Sequence, residues 1–294
     1  MNLIEGAYDL HVHAGPDVLP RCGDDFDIAQ RIVESGMAGY VIKNHYVSTG
    51  YRAYLVNKAY PKCQAFGAIV LNNSVGGINP VAVEMAAREG IKIVWMPTTD
   101  GATEQHHVFY ETPPEKQPYW ARLVLKMRDD GIVFPGISIL DQDGQLTENT
   151  LQVLDVIAKH DLILETGHLS RPETDALIKT AAERGVKKII MTHVNFPGTY
   201  YSIEEQKKYI DYGAYMEFSY TPWQSGKISF EECVKMIKAV GADHVTMGTD
   251  LGRRDNVFPD EGMKIFSEKL FEAGLSEKEV RTINRENARK LLGV

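Results

Sequence analysis

Asp9-Leu-His-Val-His13-Ala-Gly-Pro16 decides how this chain is read. It closes the first apolar run, which begins near Ala7, and closes it with two imidazoles rather than with glycines. A nucleotide-binding open sheet needs a glycine-rich turn at this place, where the backbone must approach a phosphate. No GxGxxG and no P-loop occurs in the chain. His11 and His13 are two residues apart, so in a strand they project from one face, about 6.6 Å apart along it. Two imidazoles so placed converge on one cation at about 2.0–2.1 Å.

Seven further apolar runs follow, beginning near Gly39, Ala65, Ile91, Leu162, Lys188, Ala214 and His244. Apart from one long gap they recur every ~26–32 residues, the length of one βα unit. Strands alternating with helical patterns imply a parallel sheet. Between them lie helix start signals: Asn79-Pro80, and the capping boxes Ser170-Arg-Pro-Glu173, Ser202-Ile-Glu-Glu205 and Ser229-Phe-Glu-Glu232. Gly36, Gly90, Gly185 and Gly241 stand where helices stop. The expected fold is therefore α/β, a (β/α)8 TIM barrel, with residues 1–294 as one domain. The gap from 98 to 160 is expected to be an insertion within it, an elaborated loop after strand 4. It should hold a polar loop, a helix around Tyr119–Arg128, a hairpin turning at Asp143-Gly144, and a helix from Glu148 to His160.

Composition agrees with a globular protein. The chain has 294 residues, 44% hydrophobic and 24% charged, enough to bury a large core. A formal net charge of −8 argues against nucleic acid as the main partner and against an anionic membrane surface. No apolar run approaches the ~20 residues that span a bilayer. The start, Met1-Asn-Leu-Ile-Glu-Gly6, lacks the pattern of a signal peptide. The cysteines Cys22, Cys63 and Cys233 are odd in number and far apart, which fits a reducing, cytoplasmic setting rather than a disulfide framework. A small-molecule substrate is expected, and a homo-oligomer stays open.

Function is read at the strand ends. His168 ends the fifth run, His193 the sixth (Ile189-Ile-Met-Thr-His193) and Asp250 the eighth (Val245-Thr-Met-Gly-Thr-Asp250). With His11 and His13 they place five metal-binding side chains at the end of a parallel barrel where active sites are built. A lone HxH is weak; the five together are not easily reached by chance.

This pattern resembles the amidohydrolase superfamily, from Asp9-Leu-His-Val-His13 to the closing Asn287-Ala-Arg-Lys-Leu-Leu-Gly293. The resemblance implies a (β/α)8 barrel holding one or two divalent metals, often zinc, and hydrolysis of an amide, ester or lactone bond. It implies that His11, His13, His168, His193 and Asp250 are the metal ligands and that Asp250 also handles protons. The bridging Lys or Glu that two-metal members carry on the fourth strand is absent here, where Ile91-Lys-Ile-Val-Trp-Met-Pro97-Thr-Thr-Asp100 stands.

Lys43, which ends the second strand in Val41-Ile-Lys-Asn-His45, is the substitute and a second catalytic expectation. The alternative is a lysine that reaches solvent or pairs with Asp9 or Asp100. His45, Arg253 and Arg254 are expected to touch substrate, the arginines as partners for a carboxylate or phosphate or else as surface charges. Glu165 is placed on the face opposite His168 and so outside the site. His106-His107 reads as a solvated pair, and Trp223 as pocket wall or packing. Three other functions remain open: a phosphoesterase of the PHP or TatD-like type, a metal-dependent decarboxylase, and an inactive barrel that serves as a binding protein.

Overall fold

Strand β1 (Tyr8–His13) pairs in parallel with β2 (Gly39–Lys43), and β2 with β3 (Gln64–Phe66), in the computed structural model, which describes residues 2–294. A second parallel sheet runs β4 (Ala68–Val70), β5 (Ile93–Trp95), β6 (Ile163–Glu165), β7 (Ile189–Met191), β8 (Ala214–Ser219) and β9 (Val245–Gly248). Each expected strand is present within about two residues of its reading. The third is split at Gly67 into β3 and β4. The fold is α/β with parallel strands, in two sheets rather than one uninterrupted ladder.

The cause of the split is a side chain. Thr49 inserts between β2 and β4: its hydroxyl donates to the carbonyl of Ile42 at 2.7 Å and accepts from the amide of Ala68 at 2.8 Å. Its own amide donates to the carbonyl of Ala68 at 2.9 Å. Gly67 cannot carry a side chain here, because a Cβ would stand 2.6 Å from Cα of Gly50. Thr49→Val is expected to lower stability by about 1–3 kcal/mol, since it strands a buried carbonyl and amide. Urea unfolding checks this; an unchanged midpoint would mean the seam does not depend on the hydroxyl.

At the other edge the sheets meet again. The amide of His13 donates to Leu251 at 2.8 Å, and that of Asp250 donates to the carbonyl of His11 at 2.9 Å. Asp9 accepts from the amide and hydroxyl of Thr249 at 2.9 and 2.5 Å. The inner faces of both sheets share one apolar cluster, with Leu10, Val41, Val70, Ile93, Ile163, Ile190 and Tyr215. Alternate residues such as Ile42, Val94, Leu164 and Met216 face the helices in the larger cluster. Leu291 and Leu292 of the last helix, Asn287–Leu292, close the inner cluster from below.

Residues 98–160 contain helices Ala102–His106, Tyr119–Asp129 and Glu148–Lys159. The stretch read as a polar loop is thus partly helical. The expected hairpin reduces to one antiparallel bridge, Leu140 with Leu146. Ile137 bridges Gly101 instead, and the amide of Ile139 donates to Glu173 at 3.1 Å, which draws the first arm away. Val153, Leu154 and Ile157 of the last of these helices lie in the main hydrophobic cluster. None of the described helices is long and apolar enough to cross a membrane.

Candidate functional site

Above the inner apolar cluster the same strands present polar side chains. Val41 and Lys43, Ile93 and Trp95, Ile163 and Glu165, and Tyr215 and Glu217 are i, i+2 pairs, so each polar or aromatic member stands over its apolar partner. On β1 the register shifts between Asp9 and Val12. Such a bulge re-aims side chains, and here Leu10 joins the inner cluster while His11 also faces inward. His193 and Asp250 lie just past β7 and β9 with φ of 51° and 54°. Left-handed backbone is costly for these residues and concentrates at functional sites. Gly248 is required by close approach: a Cβ would stand 2.6 Å from that of His11.

Three of the expected ligands converge directly. Oδ1 of Asp250 is 3.3 Å from Nε2 of His11 and 3.2 Å from Nε2 of His13. Oδ2 accepts from the Thr221 hydroxyl at 2.9 Å. A second group joins His11 and His193 through Glu217, whose carboxylate is 3.2 Å from Nδ1 of His11 and 2.9 Å from Nδ1 of His193. The rings of His11 and His193 stack at 4.7 Å between centroids. His168 stands beside His193 at 5.7 Å but belongs to neither tight group among the described residues. Its Nδ1 is 3.3 Å from Glu104 without the alignment of a hydrogen bond, and both ring nitrogens lack a partner.

Lys43 points inward and is 1% exposed. It contacts neither solvent nor Asp9 nor Asp100. Its Nζ lies 2.8 Å from Nε2 of His11 and 5.0 Å from the centre of the Trp95 ring. Asp100 is occupied elsewhere, accepting from the amide of Asn73 at 2.8 Å. Where a bridging ligand was sought on the fourth strand, Trp95 packs its ring 5.3 Å from that of His11. His45 stacks on His13 at 4.9 Å and meets the Thr98 hydroxyl at 2.8 Å. Arg253 and Arg254 are exposed, Arg253 pairing with Asp255 at 2.6 Å. Arg21 lies nearer, 3.3 Å from Nδ1 of His13 and held by Asp17 at 2.7 Å. His106 and His107 are exposed beside Glu111, and Trp223 packs on Tyr220, Phe230 and Phe266.

Two buried acids escaped the sequence reading. Glu165 was placed outside the site on strand alternation. The strand stops at Glu165, and Gly167 at φ 60° turns the chain, so Glu165 and His168 both reach the inner side. Oε2 of Glu165 accepts from Thr192 at 2.6 Å, while Oε1 has no partner. Glu217 carried a signal that went unused: an acid between Met216 and Phe218 on a strand buried along its whole length.

The electrostatics follow from burial and neighbours. Burial, then Lys43, push His11 down to about 4, and burial with Arg21 pushes His13 well below the usual histidine range. Both are neutral imidazoles at pH 7, the form that binds metal. Burial opposes the charge on Asp250 and Glu217, yet the surrounding histidines hold both carboxyls below the ordinary range. Burial lowers Lys43 and raises Glu165 well above the normal value.

Comparison with known proteins places this geometry among relatives in fold. A sequence profile described as "Family of unknown function (DUF6282)" matches residues 6–217, a span that takes in His11, His13, Lys43, His168, His193 and Glu217 and ends before Asp250. No curated protein matches the chain. Among solved structures, an amidohydrolase from Pseudomonas aeruginosa aligns with a TM-score of 0.64 at 14% identity, over 99% of this chain and 96% of its own. The dipeptidase AC, a metallo peptidase of family M19, aligns at 0.61 and 11% identity over 98% of each chain. A TatD homolog from Escherichia coli K12 aligns at 0.56 and 14% identity over 99% of each. At these identities the likeness is one of fold, and the fold is amidohydrolase-like.

Proposed function

The chain belongs to the DUF6282 family, and from its fold and the side chains gathered at its strand ends we propose that it is a metal-dependent hydrolase acting on an amide, ester or lactone bond of a small molecule. In this reading the two sheets form one closed (β/α)8 barrel, interrupted at Thr49 and sealed at Asp9. Residues 1–294 are a single domain with 98–160 inserted over the mouth. His11, His13 and Asp250 hold a divalent cation, which we assign as zinc. His193 and His168 provide for a second ion.

The observation that carries the reading is the donor set. Two neutral imidazole nitrogens and a carboxylate oxygen lie within 4.8 Å of one another, as three ligands of one tetrahedral ion must. The unpartnered nitrogens of His168 support the fit, because buried polar atoms normally find partners. A bound cation acidifies water and polarises the substrate's reacting oxygen.

The chain's own groups do the rest. Asp250 is ionised and receives the proton from the attacking water, then returns it to the leaving atom. The Thr221 hydroxyl fixes its Oδ2 while Oδ1 faces the histidines. Lys43 is the second group at the reacting centre, as an amine that touches substrate or, once carboxylated, as a bridge between two ions. His45 borders the mouth beside His13. Arg253 and Arg254, turned to solvent, are kept only as rim contacts.

A one-metal decarboxylase is the second reading, favoured by Trp95 standing where a bridging ligand was sought. A screen of ester, lactone, amide, phosphoester and carboxylic acid substrates, with zinc and after chelation, separates the readings. Chelator-sensitive cleavage of an ester, lactone or amide is expected. Carbon dioxide release alone would replace hydrolysis by decarboxylation, and phosphoester cleavage alone would replace it by the TatD-like activity.

A further inference from the structure

We propose that Glu217 is a positioning residue that fixes the tautomers of both His11 and His193, so that each ring carries its hydrogen on Nδ1 and presents an Nε2 lone pair to the mouth. The proposal rests on reading the histidine cluster as a metal site and extends it to a residue that no expectation named.

The geometry is specific. Glu217 is fully buried on β8 and reaches the two rings from beneath, between the apolar inner cluster and the mouth. Both its oxygens are 3.2 Å from Nδ1 of His11. Oε1 is also 2.9 Å from Nδ1 of His193 and accepts from the hydroxyl of Ser219 at 3.0 Å. The backbone amide of His193 points to the same oxygen at 3.4 Å. That hydroxyl in turn lies 2.7 Å from Nδ1 of His193.

An ionised Glu217 only accepts, so Nδ1 of His11, hydrogen-bonded to both its oxygens, must bear the hydrogen, and Nδ1 of His193 donates to the Ser219 hydroxyl, whose own hydrogen goes to Glu217. With Nδ1 protonated on both rings, Nε2 is left as the acceptor on both. On His11, Nε2 also lies 3.3 Å from Oδ1 of Asp250, but the nearer Lys43 amine, at 2.8 Å, donates to that nitrogen in the assignment, which leaves the hydrogen on Nδ1. Glu217 accepts from His11, from Ser219 and from the amide of His193 beneath the rings, whereas Oδ1 of Asp250 faces two Nε2 atoms at the open end. Carboxylates that hold the far nitrogen of a ligating histidine orient the ring and raise its basicity, and losing one typically costs 10–100-fold in metal affinity. Ser219, two residues on and on the same face, supports His193 alone, so the effect on His11 depends wholly on Glu217.

Long-range proton–nitrogen NMR of the histidine rings, recorded on metal-stripped wild type, tests the assignment with no ion present. His11 and His193 are both expected as Nδ1–H tautomers; an Nε2–H form of either ring overturns the proposal. Glu217→Gln is the second arm, read by the same spectra and by zinc titration against a chromophoric chelator. The variant offers one ring an amide N–H in place of a carboxylate oxygen. At least one ring is expected to change tautomer, and zinc to bind about 10–100-fold more weakly with the stoichiometry at saturation unchanged. Unaltered tautomers and affinity, or the loss of a whole equivalent of zinc at saturation, overturn the positioning role, the latter because Glu217 would then be a ligand itself. Wild type that binds no zinc overturns the metal reading, while the spectra of the stripped protein still decide the tautomers.

Discussion

Lys43→Ala protein is expected to turn over substrate at least ~100-fold more slowly than wild type, the lower end of what one positioned proton-transfer group contributes. Lys43 ends β2 beside His13 in the parallel register and reaches across to Nε2 of His11. It stands among Asp250, Glu217 and Glu165, the charges that most oppose the fall in its basicity caused by burial. Among the described residues no second basic side chain contacts that nitrogen of His11. The substitution also empties the space of a fully buried stem and removes the partner of Nε2 of His11. Lys43→Met, which keeps most of the apolar stem, is therefore the control for folding. Steady-state kinetics with metal analysis on both variants separates the two roles of the amine. If Lys43 bridges two ions as a carbamate, the variants also lose metal, and bicarbonate revives stripped wild type but not Lys43→Met. If it contacts substrate, metal content is unchanged and only turnover falls. Normal turnover with normal metal in both variants would remove Lys43 from the site.

Replacing His11 with alanine has the second large effect, on metal rather than on chemistry alone. His11 is the side chain common to both converging groups, facing Asp250 with one nitrogen and Glu217 with the other. Its loss is expected to weaken zinc binding by more than the ~10–100-fold that removal of an orienting partner costs. His168→Ala is the informative companion. Among the described residues neither nitrogen of His168 has an aligned hydrogen-bond partner, and its polar contact is Glu104 at 3.3 Å, so a fall in metal content at an unchanged zinc-free thermal midpoint reports ligation rather than misfolding. Zinc is also expected to raise the thermal midpoint of wild type, since a ligand that prefers the folded state stabilises it. That rise should vanish in His11→Ala. Equal metal and an equal zinc-dependent rise in both variants would make the two histidines structural.

The strands were legible because each is a short apolar run at a regular interval, and the helices because Ser202 with Glu205 and Asn79 before Pro80 are local signals that the structure uses as caps. The split of the third strand was not legible. It depends on Thr49, from the segment after β2, meeting Ala68, which is nineteen residues further on. The hairpin over 137–146 was misread for a related reason, since the pairing of Ile137 with Gly101 outcompetes a local arm. At the site, side chains at strand ends could be read from position, and His11, His13 and Asp250 meet. Glu165 could not, because alternation fails once Gly167 turns the chain. Glu217 was marked only as an acid within an apolar strand, and position could not assign it because it meets the rings from below rather than at the strand end. Arg21 touches His13 at a distance set by the turn that follows β1, which position along a strand does not give.

Metal per chain tests the account most directly. Purified protein is stripped with a chelator, incubated with excess zinc, freed of unbound ion and measured by elemental analysis against protein concentration, with His11→Ala treated in parallel. The account predicts one to two equivalents of zinc on wild type and well under half of one on the variant. Wild type that retains no zinc under these conditions, or a His11→Ala protein that retains as much as wild type, would contradict it.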